Sequence, residues 1–305
     1  MRRILLWMAR NRWLKEHLPR LPFARRAVRR FMPGETIEEA LDAAEQFRAH
    51  GIGILLTHLG ENLTDLAQAR AVADHYHDVL DKVRARGLDA EISLKLTQIG
   101  LDLDPEVTFG HLSSLAAHAA EAHGTLWIDM ESSAYVNPTL DLYRRLLAEH
   151  PNSGVCLQAY LRRTPTDVHE LLPLRPKIRL VKGAYDEPER IAFRRRLEVD
   201  AAYQSLAVLM LPAAARGELR LGLGTHDVGL IERIAAHAKA AGIGKEAFEV
   251  QMLYGIRMAE QRRLAAEGYV VRDLIAYGDA WYAWYMRRLA ERPANVLFAL
   301  RQILP

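Results

Sequence analysis

Residues 177–188 read KIRLVKGAYDEP. Basic and apolar residues alternate over 177–181, the period of a strand. The chain then delivers Lys182, Gly183, Ala184 and Tyr185, which have the composition of a polar turn. A buried strand that runs into such a turn is how a catalytic loop leaves a sheet. Lys and Arg are almost never fully buried without a partner. Arg179 and Lys182, read as sharing one alternating face of an interior strand, therefore require either an ion pair at the strand end or an anionic or electron-rich ligand.

Outward from this stretch the same unit recurs. Strand patterns occupy 52–57, 92–97, 125–130, 155–160, 177–181, 219–224, 248–252 and 270–277. Helical patterns follow them at 64–86, 105–123, 139–150, 166–172, a long run ending before Gly217, 228–241, 257–267 and 279–291. Gly87, Gly124 and Pro151 stop three of these helices. Ahead of the first strand, Thr36 with Glu39 three residues on is a capping-box signature for a helix reaching to about residue 50. Alternating strand and helix means parallel strands, and eight of them predict closure into a (β/α)8 TIM barrel of the α/β class, which takes about 250 residues. An open doubly wound sheet would carry G-x-G-x-x-G after its first strand. That motif is missing there, and Gly222-Leu223-Gly224 is too short to replace it.

The 305 residues are 50% hydrophobic and 26% charged, an ordinary globular composition. Charge is uneven, because residues 1–30 hold ten Lys and Arg against Glu16 alone, while the remainder carries 31 basic and 37 acidic residues. The expected division is a basic helical arm over 1–34 and a barrel domain over 35–305. Apolar residues 4–9 are too few for a signal sequence, and no run approaches the roughly 18 of a spanning helix. Trp7, Trp13 and Phe23 among the basic residues suit an anionic membrane surface, or else an arm that folds over the barrel or a sister subunit. The single cysteine, Cys156, lies in an apolar run and reads as a small core residue of a reducing, cytoplasmic compartment. Nucleic acid is not an expected partner.

In a barrel of this kind chemistry gathers at the C-terminal ends of the strands. Read in turn, those ends present Lys95, Asp129, Gln158, Lys182, Thr225-His226, and Glu249 with Gln251. Metal-ligand spacing is missing from this rim, as is G-x-S-x-G, and histidines such as His75 and His77 read as surface residues of helices. The last helix adds Arg287 and Arg288 beside Trp281, Tyr282, Trp284 and Tyr285. Adjacent helical residues splay by about 100°, so one arginine can enter the mouth as a bidentate carboxylate clamp while the other supports it.

Seven segments in chain order carry a resemblance: E-I-S-L-K-L, I-D-M-E, G-V-C-L-Q-A-Y-L-R-R, R-L-V-K-G-A-Y, G-T-H-D, Y-G-D-A-W-Y and R-R-L-A-E-R-P-A-N. Together they resemble bacterial monofunctional proline dehydrogenase, and the barrel is similar to the proline-oxidising domain of proline utilization A. The match runs from about Ile52 to Asn295 and leaves out the basic arm. The resemblance implies a distorted, FAD-bound (β/α)8 barrel that oxidises L-proline to Δ1-pyrroline-5-carboxylate by hydride transfer to flavin N5 and passes electrons to a quinone. It implies that Lys95, Arg287 and Arg288 hold the proline carboxylate, that Asp129 fixes Lys95, and that Arg179 sits by N5 and favours an anionic reduced ring. Gln158, Lys182, Gly183, Ala184, Thr225, His226 and nearby Ile128 would contact the flavin and its phosphates, with Tyr185 lining the proline pocket. Trp284 stands where the family commonly has Tyr, and Ala276 where it has Pro.

The chemistry is coherent on its own terms. A dry pocket favours the neutral amine that oxidation needs, and nearby cations favour charge arriving on a flavin. Two other readings of the same residues stay open. One is a Schiff-base lyase using Lys182 or Lys95 as a desolvated amine. The other is a membrane-docked interaction protein built on an inactive barrel. Assembly of the protein as a homo-oligomer stays open.

Overall fold

All eight predicted strands form, and in a computed structural model of the chain each pairs in parallel with the next until the eighth returns to the first. The structure describes residues 11–17, 28–60, 63–282 and 284–286. In chain order the elements are α1 (Arg12–His17), α2 (Ile37–Arg48), β1 (Gly53–His58), α3 (Leu66–Arg86), β2 (Ala90–Lys95), α4 (Pro105–Glu121), β3 (Leu126–Asp129), α5 (Val136–Glu149), β4 (Ser153–Gln158), α6 (Thr164–Leu171), β5 (Lys177–Val181), α7 (Arg196–Ala215), β6 (Arg220–Gly224), α8 (Val228–Ala240), β7 (Phe248–Leu253), α9 (Met258–Ala266) and β8 (Val270–Tyr277). Beyond β8, residues 281, 282 and 284–286 are helical. Of the helix expected over 279–291, residues 279 and 280 form a turn, and 283 and 287–291, including Arg287 and Arg288, lie outside the described residues.

Strand alternation divides the side chains into two sets with opposite chemistry. Ile54, Leu56, Ile92, Leu94, Leu126, Ile128, Ile178 and Leu180 face the helices and are fully or almost fully buried in one core. Helix α3 meets them with Ala69, Ala73, Tyr76, Leu80 and Val83, spaced at one helical face. Each such leucine or isoleucine contributes roughly 1.5–3 kcal/mol by leaving water. Both ends of α3 are closed locally. Asp65 accepts from Gln68 N at the start, and Gly87 takes the left-handed conformation at the end.

The inner set is largely polar. At the N-terminal end of the barrel Arg220 reaches Glu91 at 2.7 Å and Glu249 at 2.9 Å, while Arg272 meets Glu249 at 3.4 Å. The Trp127 indole N–H donates to Glu91 at 2.7 Å. Burial works to raise the Glu91 carboxyl, but Arg272 and Arg220 hold it below the usual range. Glu249, expected at the catalytic rim, belongs instead to this plug, because Gln251 is two residues nearer the mouth.

A second apolar cluster closes over the other end. Val28, Phe31 and Met32 pack against Leu59, Ala276, Trp281, Tyr282, Trp284, Tyr285 and Met286. The last residues before α2 therefore fold onto the barrel. Among the described residues no helix is long and apolar enough to cross a membrane.

Candidate active site

A cavity of about 1130 Å³ opens at the C-terminal ends of the strands. Lys95, Asp129, Gln158, Arg179, Lys182, Gly183, Ala184, Tyr185, Thr225 and His226 all line it. Ile128 does not. Asp129 faces inward, so alternation turns the Ile128 side chain into the apolar layer under the helices.

Arg179 is the floor of the cavity, with 3% of its side chain exposed. Its Nη2 donates to Asp129 Oδ1 at 2.7 Å and to Ser93 Oγ at 2.5 Å, and its Nε to Cys156 Sγ at 2.7 Å. Nη1 reaches Gln251 Oε1 only at 3.4 Å. The guanidinium carbon stands 5.1 Å from the centre of the Trp127 ring, a cation–π distance. Partners from β2, β3, β4 and β7 converge on one side chain, which only the inside of a closed barrel permits.

Asp129 therefore engages Arg179. Lys95 sits directly across from Asp129 in the β2–β3 register, yet it forms no ion pair among the described residues. Lys95 and Arg179 thus stand with one carboxylate, paired to Arg179, at the cavity floor, a positive excess that suits an anionic ligand.

Lys182 has a different setting. The expectation that it shares a strand face with Arg179 is incorrect, since the two are three positions apart, an odd offset, and β5 ends at Val181. It reaches the cavity because the chain has already turned. There its ammonium lies 2.5 Å from Asp200 and 3.0 Å from Asp227. This is the geometry of a charge-paired ammonium and differs from the isolated amine that Schiff-base chemistry needs. The turn itself depends on Gly183, whose φ is 107° and whose Cβ, if present, would overlap the Tyr160 ring.

The proline dehydrogenase family model matches residues 40–301. The chain is 36% identical over 304 residues to Proline dehydrogenase 1 of Bacillus subtilis subsp. natto, covering 100% of this chain and 99% of that protein. The chain belongs to the proline dehydrogenase family. Proline dehydrogenase of Deinococcus radiodurans is 38% identical over 280 residues, spanning 90% of this chain and 89% of its own. Among solved structures, proline utilization A (PutA) from Bdellovibrio bacteriovorus, inactivated by N-propargylglycine, has a TM-score of 0.82 at 22% identity. That likeness covers 95% of this chain and 38% of the PutA chain, and it shows the shared barrel fold.

Within this family frame, the sequence reading missed Ser93, Cys156, Asp200 and Asp227 as parts of the site. Two of them had a signal. Ser93 is two residues before Lys95 and Cys156 two before Gln158, so strand alternation puts each on the inner face. Cys156 is buried as expected, but it faces the cavity and hydrogen-bonds there. His75, expected at the surface, is half-buried, and its Nε2 lies 2.9 Å from the Tyr277 hydroxyl. Trp284, 8% exposed, lines the cavity.

Proposed function

We propose that the protein is an FAD-dependent enzyme that oxidises L-proline to Δ1-pyrroline-5-carboxylate and passes the electrons to a quinone. The observation that carries the reading is the single cavity, in a chain of this family, that gathers the Arg179–Asp129 pair and a Lys95 ammonium with no ion pair among the described residues. When bound, FAD supplies the ring that accepts a hydride from the carbon beside the proline nitrogen.

The residues present fit such a group. The cavity exceeds the roughly 300–1,000 Å³ of ordinary small-ligand pockets. Gln158 Oε1 is buried and accepts no hydrogen bond among the described residues, so it can take one from a ring N–H. Lys182, Arg194, Arg196 and Arg257 line the same cavity and offer cations to phosphate oxygens. Thr225 and His226 add polar contacts at the end of β6, with Gly183 and Ala184 at the end of β5.

The protein's own groups divide the work. Lys95 holds the proline carboxylate with Arg287 and Arg288, which lie outside the described residues. Tyr185 walls the ring of the substrate. Arg179 presents positive charge where electron density arrives, and Asp129 keeps that guanidinium in place. We divide the chain into a basic arm, residues 1–34, whose last residues pack on the barrel, and a barrel domain over 35–305. The charge of the arm suits peripheral contact with anionic lipid, near the quinone pool at the inner face of a cell membrane. A homo-oligomer would be compatible with the same arm.

A visible spectrum of the pure protein before and after L-proline tests the reading. Flavin absorbance that bleaches with proline is expected, whereas a colourless protein or an unresponsive spectrum overturns it. Lys95→Met should raise KM for proline at least tenfold with flavin content unchanged.

A further inference from the structure

Arg179 distributes its donors unevenly. A guanidinium has five N–H groups in a fixed fork. Nε is held by Cys156 Sγ and the two hydrogens of Nη2 by Asp129 and Ser93. Nη1 makes only the 3.4 Å approach to Gln251. The Nη1 end of the fork is thus the less committed one, and the tightly held end is set by three residues on β2, β3 and β4; Arg179 lines the cavity.

Cys156 has a distinct place among those three. It is opposite Arg179 in the β4–β5 register and is 3% exposed. Its sulfur accepts from Arg179 Nε at 2.7 Å, and its S–H donates to Asp129 Oδ1 at 3.2 Å. The thiol closes a triangle with the ion pair, touching both members at once. Burial pushes the thiol up to about 12, despite the opposing pull of Arg179. It therefore stays an S–H, which both accepts and donates, whereas a thiolate could not donate. Asp129 and Ser93 grip Nη2 only, and a fork held at one corner can roll about its own axis. The contact to Nε removes that freedom.

We propose that Cys156 is a positioning residue whose thiol fixes the roll of the Arg179 guanidinium, so that the charge it presents to the cavity is held at the angle that tunes the electron affinity of a bound flavin. The inference rests on the reading that FAD occupies this cavity with Arg179 beside its redox-active edge. Without the thiol, the buried Nε–H has no acceptor, and the guanidinium turns to satisfy it at the expense of its aim. Misplaced charge stabilises the reduced flavin less.

The test uses the full-length flavin-loaded enzyme and compares Cys156→Ala, Cys156→Val and Cys156→Ser. Midpoint potential is measured by equilibrium titration, and kcat and KM with L-proline and a dye acceptor. Cys156→Ala should shift the potential to a more negative value and lower kcat about tenfold, with KM for proline within twofold. Cys156→Val keeps the bulk without the hydrogen bonds and should show the same losses, which secures the reading if the alanine variant does not fold. Cys156→Ser, which can both accept and donate, should stay within twofold of the parent in kcat and near it in potential. Unchanged potential and kcat in both apolar variants overturn the proposal, as does a serine variant as impaired as the alanine one. Arg179→Met separates the two layers of argument. If it too leaves the potential unchanged, the placement of Arg179 beside the flavin has failed. If it shifts the potential while the apolar Cys156 variants do not, only the role of the thiol has failed.

Discussion

Asp129 Oδ1 lies 2.7 Å from Nη2 of Arg179, an arginine with only 3% of its side chain exposed. A cation at that depth depends on its carboxylate, because losing one partner of a buried pair leaves the other uncompensated. Asp129→Asn keeps the shape and removes the charge. The expected loss is about 2–3 kcal/mol, below the roughly 3–5 kcal/mol of a fully buried pair, because a quarter of the Asp129 side chain is exposed. Denaturant titration measures it, and kcat for proline should fall at least tenfold. Unaltered stability with full activity would remove the pair from the centre of the site.

The turn after β5 supports a second prediction. Gly183 adopts φ 107°, a region costly for residues with a Cβ, and the Tyr160 ring occupies the place where that Cβ would go. Gly183→Ala has two penalties to absorb and should lose about 2 kcal/mol or more. The displaced turn carries Lys182 and Ala184, so flavin content should drop with it. A variant that retains its flavin and its melting temperature would show that the turn tolerates rearrangement.

Most of the barrel was legible because period-two alternation and glycine stops are local signals. The bounds of β5 and β8 coincide with the expectation for this reason. Where the reading slipped, a local interaction overrode the pattern. The apolar run after β2 predicted a strand to residue 97, but Leu96–Ile99 form a 3-10 turn, with Gln98 accepting from the Lys95 backbone N–H. Helix α5 begins at Val136 and not at 139, since Pro138 falls in the first turn, where its missing N–H costs nothing. The site was legible at the strand ends but not one layer deeper. Alternation says that Cys156 faces inward. It does not say that the barrel closes tightly enough for the thiol to touch residues from two neighbouring strands.

Asp273 gives a prediction in pH. It is fully buried on β8, and neither carboxyl oxygen meets a donor at hydrogen-bonding geometry among the described residues. Burial pushes it up to about 8, outweighing the pull of nearby Gln261. An unfolded aspartate titrates near 3.9. From about pH 4 to about pH 8 the folded state therefore keeps a proton that the unfolded state has lost. Stability is fully present below that window and falls as pH rises through it, by up to about 1.4 kcal/mol per unit. Asp273→Asn removes this dependence. The difference in melting temperature between variant and parent should grow in favour of the variant from pH 5 to pH 8, and parallel curves would refute the assignment.

The segment before α2 governs the last prediction. Trp281 Nε1 donates to Glu35 Oε1 at 3.0 Å, and the Phe31 and Tyr285 rings stand 5.9 Å apart. From Met286 the chain runs directly into Arg287 and Arg288, the expected carboxylate clamp. Phe31 and Glu35 thus hold the helical turn that precedes the two arginines in the chain. Phe31→Ala should cost about 2–3 kcal/mol, less than the roughly 3–5 of a central core phenylalanine, since the cluster sits at the barrel end. If the buttress acts on the clamp, KM for proline rises several-fold while flavin content and the kcat reached at saturating proline hold. Glu35→Gln keeps an acceptor for the indole and should behave like the parent. A fall in melting temperature with KM unmoved would mean that Phe31 packs the end of the barrel without orienting the two arginines.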